Sequence, residues 1–230
     1  MLHKQPEDNT VDLFGIQIDA IPMEAAVDRL GNWIAHPDGK CRYVVTPNVD
    51  HLVQLRDNEP FQATYRDASL VVADGLPLVM VSRLYGRPIP ERVAGSDLVP
   101  ALFAAADQQH PITVFLLGAA AGVAERAAER MKSQWPAVQV TGLYSPPMGF
   151  EKDERENRVI LDRIRAASPD VLVVGLGAPK QEFWVHAHRE QLAAKVALCA
   201  GATIDFLAGK KQRAPRWVQR LGLEWCHRML

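Results

Sequence analysis

Residues 171–182 read Val-Leu-Val-Val-Gly-Leu-Gly-Ala-Pro-Lys-Gln-Glu, and this stretch decides the fold. Four branched aliphatic residues in a row, stopped by two glycines and a proline, predict a strand buried on both faces that ends in a tight turn. A helix then runs from Lys180 to Leu192, and Val196–Ala200 forms the next strand. The same unit recurs upstream. Strands are predicted at 42–46, 70–73, 112–117 and 138–143. Helices are predicted from Asn48 through Leu55, from Gly75 to Gly86, from Ser96 or Asp97 to Gln109, at 120–134 and at 152–167. Ahead of them, 11–19 (VDLFGIQID) reads as one strand and 23–36 as a helix with Pro22 near its start.

This alternation predicts an α/β fold, Rossmann-like, with a mostly parallel sheet and helices on both faces. The best internal boundary is the Pro88/Pro90 loop at 86–94, which divides two halves of one domain at most. In open sheets of this kind the ligand lies beyond the carboxyl ends of the strands. Four such ends carry polar or glycine-rich residues: Thr46-Pro47-Asn48-Val49-Asp50, Asp74-Gly75, Gly118-Ala119-Ala120-Ala121-Gly122, and the Gly175–Glu182 segment. Each has two readings. Thr46 and Asn48 are helix caps or ligand contacts, and Asp74 is a turn carboxylate or a reactive one. The glycines around Gly118 form a tight strand-to-helix turn or a phosphate site. Four ends converging on one side of a sheet favour a polar ligand.

Composition and motif searches exclude several classes. The chain has 230 residues, 48% hydrophobic and 23% charged, with 26 Lys+Arg against 27 Asp+Glu. It has the make-up of a folded globular chain and no global field that would attract nucleic acid. Three cysteines at 41, 199 and 226 give neither a disulfide framework nor a CxxC metal site, and suit a reducing cytosol. The apolar runs fall short of the roughly 20 residues needed to cross a bilayer, and residues 1–12 lack the pattern of a signal peptide. No D-x-D, HExxH, GxSxG or GxGxxG motif is present. The last excludes the usual nicotinamide site. His186 and His188 fall on opposite sides of a helix and read as surface residues.

The segments TPNVDHL (46–52), ADG (73–75), PERVAGSDL (90–98), FLLGA (115–119), VVGLGAPKQE (173–182), AGATIDFLAG (200–209) and RAPRWVQRLGLEWCHRML (213–230) together resemble the bacterial WecG/TagA/CpsF glycosyltransferases (family GT26). The resemblance runs from about residue 12 to the end. It implies an inverting, metal-independent enzyme without a cofactor. Its donor would be a UDP-sugar of N-acetylmannosamine or glucose type. Its acceptor would be an undecaprenyl-diphosphate-linked sugar, at the cytosolic face of the membrane.

By the same resemblance Asp74 is the catalytic base, Thr46 and Asn48 orient sugar hydroxyls, and Arg92 offsets diphosphate charge. Gly118, Gln181 and Glu182 belong to the nucleotide-sugar pocket, and Arg228 lies near the acceptor diphosphate. A homo-oligomer is left open, as is a non-catalytic module that only binds a nucleotide sugar. One departure stands out: the family pattern LEWLYRL, with a further basic and apolar tail, is LEWCHRML here. Residues 1–209 are therefore expected to form the α/β domain, and 210–230 the start of a shortened membrane-associating appendage. That segment carries Lys210, Lys211, Arg213, Arg216, Arg220 and Arg228 against one acid, Glu224. At helical spacing Trp217, Leu221 and Trp225 form a stripe beside the cations. Such a basic helical segment suits anionic lipid.

Overall fold

The computed structural model describes residues 9–210. Thr10–Leu13 (β1) and Ile16–Asp19 (β2) form an antiparallel hairpin. They are followed by helix α1 (Met23–Ala35), strand β3 (Arg42–Val45), helices α2 (Val49–Leu55) and α3 (Glu59–Arg66), and strand β4 (Leu70–Val71). Helices α4 (Leu76–Leu84) and α5 (Gly95–Ala105) lead to β5 (Ile112–Gly118), α6 (Val123–Gln134) and β6 (Val138–Tyr144). Next come α7 (Glu154–Ala167), β7 (Val171–Gly175), α8 (Lys180–His188), β8 (Val196–Cys199) and α9 (Thr203–Leu207).

Strands β3 to β8 make one six-stranded sheet in the order β4-β3-β8-β7-β5-β6, and every pairing in it is parallel. The cause is visible in the strands. In β7, Leu172 and Val174 pack under one layer while Val171 and Val173 pack under the other, and all four are fully buried. The hairpin, α2, α3, α4, α7 and α8 cover the first face; α1, α5, α6 and α9 cover the second. A sheet with two apolar faces needs helices on both. From β5 the chain moves outward to β6, and from β7 it moves the opposite way to β8. The neighbours β5 and β7 therefore flank a switch point, where open α/β sheets bind ligands.

Three expectations are corrected. Residues 11–19 are two strands, because Phe14 and Gly15 both have positive φ (56° and 83°), as the two-residue turn of a hairpin requires. The alternation changes phase at this turn, from inward 11 and 13 to inward 16 and 18, and the apolar Phe14 conceals the change. The buried Asp19 then ties the hairpin to the sheet: its Oδ2 accepts the Val71 N–H at 2.8 Å and its Oδ1 meets Arg29 at 3.3 Å. Helix α3 is additional, capped by Asn58, which accepts the Phe61 N–H, with a proline in the first turn. Helix α9 is also additional. The expected basic helix at 210–230 lies outside the described residues, apart from Lys210.

Candidate active site at the strand ends

Because the sheet is parallel throughout, the ends of β3, β4, β5, β7 and β8 open on one edge. Asp74 follows β4, and its backbone N–H donates to Pro47 O at 2.8 Å, which joins the Asp74 turn to Thr46-Pro47-Asn48. Asp74 does not cap the helix after it. The N-cap of α4 is Gly75, with no side-chain cap bond, so the capping reading of this carboxylate fails. Asn48 does cap: its side-chain oxygen accepts the His51 N–H at 3.1 Å. Its amide nitrogen is the end that remains for another partner. Thr46 is buried at the same edge, and a Cβ built on Gly95, the first residue of α5, would lie 3.4 Å from its Oγ1.

Arg92 stands over Asp74. Its Nη1 lies 3.6 Å from Asp74 Oδ1 and its Nη2 2.8 Å from Asp97 Oδ2. The loop carrying Arg92 is itself fastened to the end of β4, since Val93 N–H donates to Ala73 O at 2.9 Å. Ser96 or Asp97 is the residue expected to open α5. That helix begins instead at Gly95 and has no side-chain cap, and Asp97 is spent on Arg92. Among the described residues the Arg92 guanidinium thus lies between the carboxylates of Asp74 and Asp97, all three partly exposed.

On the other side of the edge, Gly118 pairs with Gly175 at the switch point. Ala119 N–H donates to Gly175 O at 3.1 Å, and Ser145 Oγ donates to Gly118 O at 3.2 Å. Gln181 and Glu182 lie deeper, with 2% and 0% exposure. Gln181 Oε1 accepts Gly201 N–H at 3.2 Å, and its Nε2 donates to Glu182 Oε1 at 2.8 Å. Gln181 thus braces the turn after β8, while Lys180 reaches outward to Glu151 at 3.3 Å. Thr46, Asn48, Asp74, Arg92, Gly118, Gln181 and Glu182 are all brought to this one edge. Arg228 lies outside the described residues.

A family model described as the glycosyl transferase WecG/TagA/CpsF family matches residues 11–230. The chain belongs to the WecG/TagA/CpsF glycosyltransferase family. It is similar to an N-acetylglucosaminyldiphosphoundecaprenol N-acetyl-beta-D-mannosaminyltransferase of Bacillus spizizenii, with 37% identity over 83% of this chain and 72% of the relative. A protein of the same name from Staphylococcus aureus is 29% identical over 96% of this chain and 84% of its own length.

In this WecG/TagA/CpsF chain the buried polar groups behind the edge sort into structural and titrating ones. His51 Nδ1 and the Tyr65 hydroxyl are 2.6 Å apart in the core, and burial lowers the His51 pKa to about 4. His51 is neutral at pH 7, buried and held by Tyr65. His186 and His188 are half-buried: His186 Nε2 meets Asp67 at 2.8 Å, and His188 packs against Trp184. The surface reading of the two is corrected, because α8 packs against α3 as well as against β3 and β8.

Glu182 is the unusual group. Burial raises its pKa from 4.5 to about 7, and its Oε2 has no hydrogen-bond partner among the described residues. The folded state then holds a proton between pH 4.5 and 7 that the unfolded chain releases, so stability falls as pH rises through that window. The expected loss is about 3 kcal/mol, and Glu182→Gln removes it. Urea unfolding of both proteins from pH 4.5 to 8 checks this; equal slopes with pH would contradict it.

Among the described residues no three His, Cys, Asp or Glu side chains are grouped as a metal site would need. None of the described helices is long and apolar enough to cross a membrane.

Proposed function

We propose that this glycosyltransferase moves an N-acetylmannosamine- or glucose-type sugar from a UDP-sugar to an undecaprenyl-diphosphate-linked N-acetylglucosamine, with inversion. The names of the relatives support this acceptor and, of the two sugars, N-acetylmannosamine. The observation that carries the mechanism is Asp74: a carboxylate at a strand end that does not cap the helix after it and lies beside the Arg92 guanidinium. In this reading Asp74 takes the proton from the acceptor hydroxyl as its oxygen attacks the anomeric carbon. The bond from that carbon to the diphosphate breaks, and UDP leaves with the electron pair. Arg92 meets the charge that develops on the leaving group. Thr46 and the Asn48 amide orient hydroxyls beside Asp74. Gly118 lets the backbone approach the donor at the switch point, and Gln181 with Glu182 holds the turn after β8 in place. Residues 210–230, with Arg228, form the appendage toward the acceptor diphosphate and anionic lipid on the cytoplasmic face.

The test is incubation with UDP-N-acetylmannosamine or UDP-glucose and a water-soluble lipid-diphosphate-N-acetylglucosamine analogue. The expected product gains one sugar, in the β configuration. An α-linked product would refute the single displacement. With no D-x-D motif in the sequence, EDTA is expected to leave most of the transfer rate intact. Loss of activity in EDTA, restored by Mg²⁺ or Mn²⁺, would show that a cation neutralises the diphosphate.

A further inference from the structure

We propose that the outer end of α4 is a bilayer contact that takes anionic lipid, an inference that rests on the lipid-linked acceptor proposed above. Helix α4 starts directly after Asp74-Gly75. Its inner face is committed to the core: Leu78 and Val79 are buried, and Ser82 Oγ donates to Val79 O and accepts the Ile89 N–H. Its outer face is apolar and bare. Met80 is 57% exposed, Leu84 85% and Tyr85 71%. Isolated exposed apolar residues are ordinary, but three within six positions, two of them stacked at i and i+4, are a patch.

Arg83 and Arg87 border the patch, both exposed, and neither forms an ion pair among the described residues. Residues 75–90 contain no acid at all. Aliphatic and tyrosine side chains beside unpaired arginines fit the headgroup layer of an anionic membrane. They fit a second copy of this chain poorly, because a two-fold contact would set the arginines of this acid-free segment against each other. Nine helical residues span roughly 13 Å. Seating the end of α4 on the bilayer would thus hold Asp74 within roughly 13 Å of the headgroups, about the reach of a diphosphate carrying one sugar.

The experiment compares the full chain with Leu84→Glu/Tyr85→Glu and Arg83→Glu/Arg87→Glu. Sedimentation with phosphatidylcholine vesicles, with and without phosphatidylglycerol, reads binding. Transfer to the water-soluble acceptor and to the full-length lipid acceptor in vesicles reads function. Both variants are expected to keep the wild-type rate on the soluble acceptor. Each should lose roughly ten- to thirty-fold in affinity for phosphatidylglycerol vesicles and in rate on the embedded acceptor. Unchanged vesicle binding would overturn the proposal, as would light scattering showing that the variants break an oligomer. A wild-type chain that is inactive on both acceptors but loses vesicle binding in the variants would reject the transfer reading and leave the bilayer contact standing.

Discussion

Asp74→Asn is expected to lower turnover by roughly 10² to 10⁴ while leaving UDP affinity and thermal stability nearly unchanged. The substitution keeps the size of the side chain and removes only the proton acceptor. The stability expectation follows from the geometry. The side chain does not cap the helix that follows it, and its ion pair with Arg92, 3.6 Å long and partly exposed, contributes about 1 kcal/mol or less. The check is a kcat and KM determination beside calorimetric UDP binding and a melting curve. A variant with near-wild-type turnover would remove Asp74 from the chemistry. A large fall in melting temperature would return it to a structural role.

Gly118→Ala is expected to give the largest loss of stability. Gly118 has φ of 112°, and a Cβ there would lie 2.4 Å from Gly175 O and 2.6 Å from Gly175 C. Neither contact can be relieved by rotating a side chain, since both are to backbone of the adjacent strand. Backbone strain of about 1–3 kcal/mol adds to a similar cost for forcing β5 and β7 apart. Together these should lower the melting temperature by roughly 10 °C for a chain of this size. Because the strands part at the switch point, donor binding should weaken as well. A melting temperature within a degree or so of wild type would show that the two strand ends are not so close.

The sheet was legible in the sequence because strands buried on both faces are short unbroken apolar runs. Val171–Gly175 is the clearest of them and keeps its predicted bounds. What escaped were elements whose signals are local. The hairpin turn at Phe14-Gly15 hides inside a pattern that alternates on either side of it. Helix α3 announces itself only through Asn58 and Pro60, and α9 is a single short turn after a glycine.

The strand-end residues were legible as a set, since parallel strands bring their carboxyl ends together whatever the loops do. Their pairings were not. Asp97 has the spacing of a helix cap but lies 2.8 Å from Arg92, and only the folded loop brings them there. Gln181 and Glu182 sit next to an exposed-looking lysine. Their burial depends on α8 packing over β3 and β8, which no periodicity in KQEFWVHAH reveals.

The most direct test of the central claim is UDP release by the full chain, measured with the soluble lipid-diphosphate-N-acetylglucosamine acceptor present and absent. Acceptor-dependent release from UDP-N-acetylmannosamine or UDP-glucose, abolished by Asp74→Asn, is the predicted result. Calorimetric UDP binding with no release on any acceptor would contradict it and leave a module that binds nucleotide sugars without transferring them.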